Sequence, residues 1–236
     1  MELPDKTLAM RPEIDFRAWN EDMARKYSPG RYHEESHFLI RWVERQRVRA
    51  IIRLLQPRAG DMVLEVGCGS GNVLEALPQG TKPVGIDLSS TLVTESRVRL
   101  AGRGGMIAQA NAEQLPFPTS HFSRIICTEV LEHVQRPEVV LGEIARVAKP
   151  DAIIVISIPN ERLIDSLRRW TRGMRMLWRT GGADEWHLHA FDMAYLDQKA
   201  AGHLAIQEVV PIIANWMPLR YVVRCARLPV ASHAYA

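Results

Sequence analysis

The sequence has no apolar run approaching the roughly 18 to 20 residues of a membrane-spanning helix, so none of its 236 residues is read as a transmembrane segment. The opening Met1-Glu2-Leu3-Pro4-Asp5-Lys6 carries no apolar signal segment, and a cytoplasmic location is expected. Cysteine is scarce: Cys68, Cys127 and Cys225 are odd in number, widely spaced and set in apolar patterns. Buried free thiols are therefore expected, not disulfides. Charge of one sign is also lacking, with 30 Lys and Arg against 27 Asp and Glu for a formal net charge of +3. With no basic tail either, a nucleic-acid partner is not expected. There are no internal repeats and no low-complexity segments. What remains, 47% hydrophobic and 24% charged residues, suits one globular domain with a full core.

The most informative stretch runs from Val63 to Asn72. Val63-Leu64-Glu65-Val66 reads as a buried parallel strand. Glycines then occupy alternate positions, Gly67, Gly69 and Gly71, before a helical pattern resumes at Asn72. A strand, a glycine turn and a helix N-terminus present backbone N–H groups to a ligand without side chains in the way. The dinucleotide spacing Gly-x-Gly-x-x-Gly is not the one present. Pro83 to Leu88 reads as a second strand ending in a carboxylate, Asp87, which can accept from both hydroxyls of a ribose. Further on come Ala110-Asn111-Ala112-Glu113-Gln114-Leu115-Pro116-Phe117 and, after the apolar run Phe122 to Cys127, Glu129-Val130-Leu131-Glu132-His133-Val134.

Glu65 followed by the three alternate glycines resembles motif I of the class I S-adenosylmethionine-dependent methyltransferases, and the loop from Ala110 is similar to that family's adenine-covering segment. The resemblance covers about Ala59 to Ser157. It implies S-adenosylmethionine as cofactor, S-adenosylhomocysteine as product, and a doubly wound, mostly parallel seven-stranded α/β sheet of Rossmann-like type in the order 3-2-1-4-5-7-6. It places Gly67, Cys68 and Gly69 at the methionine end, with Glu65 supporting the loop and the amino group. Asp87 takes the ribose, Leu88 packs on the adenine, and Ala112 supplies a backbone N–H. Asn111 stands where the family has aspartate; its carbonyl can accept from the adenine amino group. Thr128 and Glu129 follow the fourth strand, at the carboxyl edge where open α/β sheets bind ligands.

In chain order, residues 1–57 read as an N-terminal helical lid, 58–158 as the cofactor-binding core, 159–203 as a helical insertion over the acceptor, and 204–236 as C-terminal strands. The lid's first 30 residues read as irregular or partly helical. Its long helix, Phe38 to Gln56, offers Phe38, Val43, Ile51, Leu54 and Leu55 to the core, and its arginines read as a solvated face. Tyr32, His33 and His37 are pocket candidates. Shorter helices are expected over Gly71–Leu77, over Ser90–Leu100 behind an Ser89 cap, and from Pro137 to Lys149. The fifth strand is read at Asp151–Ser157, the sixth at Ile206–Pro211 and an antiparallel seventh at Leu219–Ala226. In the insertion, Leu163, Ile164, Leu167, Trp170, Met174, Leu177 and Trp178 share a helical face amid arginines. A cap over the acceptor is the favoured reading; peripheral membrane contact through residues 160–180 and a macromolecular partner are the others.

The resemblance requires no nucleophile, since the methyl donor arrives activated. His133 and His189 are the candidates for a base acting on a hydroxyl acceptor. No metal is expected; the alternative is a divalent ion on Glu129, Glu132 and His133, with the Trp186-His187-Leu188-His189 stretch nearby. That spacing is similar to ubiquinone-biosynthesis and small-RNA 2′-O-methyltransferases, in which a metal orients acceptor hydroxyls. The expected function is methyl transfer to an organic metabolite, at oxygen ahead of nitrogen or carbon, with a sizeable hydrophobic or anionic acceptor such as a quinone precursor or a lipid. A metal-assisted quinone-precursor or RNA 2′-O-methyltransferase and a non-catalytic cofactor-binding module are the alternatives.

Overall fold

A computed structural model describes residues 15–26, 38–170 and 187–229. The strands are β1 (Met62–Val66), β2 (Lys82–Asp87), β3 (Met106–Gln109), β4 (Phe122–Thr128), β5 (Ala148–Pro159), β6 (Leu204–Ala214) and β7 (Met217–Arg227). They form one seven-stranded sheet in the order β3-β2-β1-β4-β5-β7-β6, as anticipated. β1 to β5 pair in parallel, whereas β7 runs antiparallel between β5 and β6.

The near-continuous apolar runs of the central strands follow from burial on both faces. Successive residues feed opposite faces. Leu64, Ile125, Ile154 and Ile156 join one core with Leu141 and Ile144 of α5 (Pro137–Val147) and Leu196 of α7 (Met193–Ala200). Val63, Ile126 and Val155 join a second core with Ile51, Leu54 and Leu55 of α2 (Phe38–Leu55) and Val93 of α4 (Ser90–Arg99). All three cysteines are free and buried.

Ser89 caps α4 by accepting from the Leu92 N–H at 3.2 Å. The helix after the glycines is shorter than its pattern suggests. Only Asn72–Glu75 (α3) is α-helical, and the Ala76 and Leu77 N–H groups step back to Val73 and Leu74 in a tighter turn before Pro78. The β6–β7 hairpin is longer than expected at both ends, because its strands continue to pair past the sheet core. Pro211 is tolerated there because β6 is an edge strand.

Two expectations about α2 are corrected. Phe38 is not core: it is 60% exposed at the first turn, on the side that also carries exposed Trp42, Arg45 and Arg49. The arginine face is not wholly solvated either, since Arg47 is buried with Glu44. Of the N-terminal lead-in, the described part forms α1 (Phe16–Lys26). Its Glu21 carboxylate accepts from the Ser90 and Thr91 N–H groups at 2.9 and 3.2 Å, at the N-terminus of α4. The insertion opens with α6 (Glu161–Trp170), whose Arg162 pairs with Asp192. Tyr32, His33 and His37, with Met174, Leu177, Trp178 and the rest of the insertion to Trp186, lie outside the described residues.

Candidate active site

The ends of β1 and β2 build the first half of the site. Gly67, Gly69 and Gly71 all take positive φ, at 70°, 50° and 83°, a conformation that turns successive N–H groups toward one side. The Gly69 N–H donates to Asp87 Oδ2 and the Ser89 N–H to Oδ1, both at 2.9 Å, so the carboxylate is fixed between the glycine turn and α4. Burial pushes the Asp87 carboxyl up, against the pull of these two N–H groups. Leu88 is half-buried, and its carbonyl accepts from Gln109 Nε2 at 2.8 Å.

Beneath the turn, Glu65 is 1% exposed. Thr128 Oγ1 reaches Glu65 Oε1 at 3.5 Å, and Oε2 has no hydrogen-bond partner among the described residues. Burial pushes the Glu65 carboxyl up to about 8, with the Arg47 guanidinium opposing that shift. Arg47 is itself buried, held by Glu44 through Nε and Nη2 at 2.8 Å, and its Nη1 has no hydrogen-bond partner among the described residues. One buried cation and one buried acid thus each keep an unused polar atom in the same neighbourhood. Such orphans are costly unless a ligand completes them.

The loop after β3 is braced from outside. Asn111 Oδ1 accepts from the Glu113 N–H at 2.9 Å, leaving one lone pair of the amide oxygen and its NH₂ for a ligand. Glu113 takes Arg136 through Nε and Nη2 at 2.8 and 2.6 Å. Ala112 sits half-buried within this loop.

The second half lies beyond β4. Glu129 has φ 54°, unusual for a residue with a side chain. Its N–H donates to the Ser157 carbonyl at 3.0 Å, its Oε1 accepts from Ser157 Oγ at 2.6 Å, and its Oε2 accepts from Arg220 Nε at 2.9 Å. Burial raises the Glu129 carboxyl, but Arg220 and Arg47 outweigh it and hold the group ionised, well below the usual range. Glu132 contrasts with it. It is 1% exposed, neither carboxyl oxygen has a hydrogen-bond partner among the described residues, and burial together with the Glu129 charge pushes it up.

Leu188 and His189 both donate their N–H to the Glu132 carbonyl, at 2.7 and 3.2 Å, which brings His187 against Glu132 and His133. The His133 and His187 rings are 4.8 Å apart, and one ligand atom from each of Glu132, His133 and His187 lies within 4.8 Å of the others. His187 Nδ1 is 2.5 Å from Glu161 Oε1, so the carboxylate fixes the proton on Nδ1 and leaves Nε2 free to accept. Burial alone lowers the imidazole, yet Glu161 and Glu132 more than reverse that, so His187 titrates above its ordinary value.

Comparison with known proteins bears on this arrangement. Residues 64–156 match the family described as Methyltransferase domain. The matched segment, the relatives below and the structural neighbours support a methyltransferase domain of the class I, S-adenosylmethionine-dependent type. Over 157 residues it is 31% identical to a ubiquinone biosynthesis O-methyltransferase of Thiobacillus denitrificans, covering 65% of this chain and 62% of that protein. Over 109 residues it is 37% identical to the Methylococcus capsulatus protein of the same name, covering 44% and 46%. The matches therefore span less than two thirds of these relatives' own lengths. Magnesium protoporphyrin IX methyltransferase from Synechocystis PCC 6803, solved with bound S-adenosylhomocysteine, shares the fold at TM-score 0.68 and 16% identity, over 90% of this chain and all of that one.

In this methyltransferase domain the residues anticipated for the cofactor, Glu65, Gly67, Cys68, Gly69, Asp87, Leu88, Asn111, Ala112 and Thr128, lie on β1, β2, β4 or the loops that follow β1, β2 and β3. The acceptor side departs from expectation. His189 does not join the cluster: Nε2 donates to the Val134 carbonyl at 3.0 Å and Nδ1 meets Tyr195 Oη at 3.3 Å, which removes it as a base. Glu129 does not join it either, because Arg220 and Ser157 hold its carboxylate. Of the Trp186–His189 stretch it is His187 that joins the cluster, and Glu161, which sequence reasoning left out, stands behind it. Arg47, Glu44 and Arg220 were also missed. The one available signal for Arg47 was its place beside Glu44 at the inward turn of an otherwise exposed arginine series.

Proposed function

We propose that the protein transfers a methyl group from S-adenosylmethionine to a hydroxyl oxygen of an organic metabolite. The observation that carries this reading is the pair of complementary buried orphans, Arg47 Nη1 and Glu65 Oε2, beneath a glycine turn that Asp87 closes. A zwitterionic amino-acid end needs one group of each charge, and a ribose needs a carboxylate beyond it. The relatives' name, ubiquinone biosynthesis O-methyltransferase, supports oxygen as the acceptor atom. Bound S-adenosylmethionine supplies a methyl group already activated on a sulfonium. Arg47 takes the carboxylate, Glu65 the ammonium, and Asp87 the ribose hydroxyls. On the other side, His187 Nε2 receives the acceptor's proton while Glu161 stabilises the imidazolium. Positioning of this kind can supply roughly 7–11 kcal/mol of the barrier.

Titration of the purified protein with S-adenosylhomocysteine tests the donor half. We expect saturable binding, weakened by more than about 1 kcal/mol in Asp87→Ala, as the loss of charge-assisted hydrogen bonds requires. No binding, or an Asp87→Ala variant that binds as tightly, would sink the assignment.

A second reading has its own observation. The Glu132 carboxyl, which has no hydrogen-bond partner among the described residues and lies 3.9 Å from His133 Nε2, offers with the two imidazoles one oxygen and two nitrogen donors, a set that fits a divalent transition metal such as zinc. Glu132, His133 and His187 would hold the ion, with Glu161 orienting His187 from behind. It would act there as a Lewis acid on the acceptor oxygen. His187 is then a ligand and not a base. Titrating zinc and magnesium into chelator-treated protein separates the two readings. A metal isotherm abolished in Glu132→Ala supports the metal, and none in the wild type leaves His187 as the base.

A further inference from the structure

Four charged side chains form one unbroken chain across the top of the sheet. Arg220, on β7, donates from Nε to Glu129 Oε2 at 2.9 Å and from Nη1 to Glu44 Oε1 at 2.8 Å. Glu44, on α2, then uses its other oxygen to hold Arg47 at 2.8 Å. One guanidinium thus bridges a carboxylate from the acceptor half and a carboxylate that aims the cofactor-side cation. Its own position is not loose. The Asn160 N–H donates to the Leu219 carbonyl at 3.0 Å, and Asn160 Nδ2 donates to the Pro218 carbonyl at 2.9 Å, so the backbone ahead of Arg220 is clamped to the end of β5.

We infer that Arg220 is a positioning residue for methyl transfer, setting cofactor affinity through Glu44 and Arg47 while it holds Glu129 in place. This rests on the proposed cofactor role of Arg47. The physical case is that Glu44 and Glu129 are two carboxylates that would repel each other without the cation between them. The fork geometry of a guanidinium serves two acceptors at once, which a lysine ammonium on a flexible stem does less well. If Glu44 loses its anchor, it no longer fixes the Arg47 plane, and Nη1 no longer points where the methionine carboxylate would lie. Control of the donor site from the last strand of the sheet is not visible in any local motif.

The test measures S-adenosylhomocysteine affinity by calorimetry in the wild type, R220M, R220K, E44Q and the double variant R220M/E44Q. Loss of a charge-assisted contact predicts that R220M and E44Q each weaken binding by about tenfold, with R220K between R220M and the wild type. Because both changes break one path, the double variant should bind no worse than about the weaker single. A purely structural arginine would lower the melting temperature and leave the dissociation constant of the folded protein unchanged, and that result overturns the inference. Additive losses in the double variant overturn it as well, since they place the two residues on separate paths. Should R220M fail to fold, E44Q and R220K carry the same comparison. A wild type that does not bind S-adenosylhomocysteine would instead overturn the proposed function.

Discussion

Replacing Gly67 with alanine is expected to abolish S-adenosylhomocysteine binding and to lower the stability of the protein by about 3 kcal/mol. Two costs add. The backbone sits at φ 70°, where an L side chain is strained by roughly 1–2 kcal/mol. A Cβ there would lie 2.3 Å from Val130 Cγ2, in a packed core where overfilling costs about 1–3 kcal/mol. Val130 belongs to the loop after β4, so the clash drives apart the two halves of the site. The costs can be separated. Gly104→Ala, at φ 62° with open space around it, should show the backbone strain alone. Gly67→Ala with Val130→Ala should recover much of the overlap while keeping the strain. Denaturant unfolding of the four proteins checks the stabilities, and calorimetry checks the ligand. A Gly67→Ala variant that binds with wild-type affinity would mean that the glycine turn is not the cofactor site.

How far a sequence discloses such a site depends on what kind of order each part has. The glycine turn and Asp87 are legible because strand, turn and helix follow one another within a few residues, and the side chains are dictated by local backbone geometry. The sheet order is legible for a related reason: apolar runs alternating with helical patterns leave few ways to wind the chain. Glu161 and His187 are 26 residues apart, and Glu44 and Arg220 are 176 apart, so no periodicity links them. Burial decides their roles, and burial is a property of the assembled fold. Arg47 shows the limit plainly, because it looks like its neighbours Arg45 and Arg49 in sequence and differs only in which way its helical turn faces. Phe38 errs in the opposite direction, an apolar residue left outside. His189 was a reasonable base by residue type alone; Tyr195 and the Val134 carbonyl, which occupy its ring, come from elsewhere in the chain.

Glutamine at position 65 is expected to make the ligand-free protein more stable at alkaline pH while it impairs the cofactor site. The Glu65 carboxyl titrates at about 8 in the folded chain against 4.5 as its ordinary value, chiefly because it is buried. Between those values the folded form keeps a proton that the unfolded form has released. Stability therefore falls as pH rises through that window and levels off above about 8. Glutamine cannot ionise, so the variant should match the wild type near pH 4.5 and exceed it increasingly toward pH 9, by an amount on the order of 2–4 kcal/mol. At roughly 2–4 °C per kcal/mol for a protein of this size, the difference in melting temperature is easily read. The same carboxyl makes a second measurement possible. An ammonium group arriving at Glu65 Oε2 favours the ionised form, so S-adenosylhomocysteine binding near pH 7 should release close to one proton from this residue. Calorimetry in buffers of different ionisation enthalpy would report that release in the wild type and its loss in Glu65→Gln. Equal proton release by the two proteins would remove Glu65 from the methionine end. Parallel stability curves from pH 4.5 to 9 would show that its charge is compensated in the folded state by a partner such as Arg47. The functional cost and the stability gain have one origin: a buried acid whose Oε2 has no hydrogen-bond partner among the described residues until the ligand supplies one.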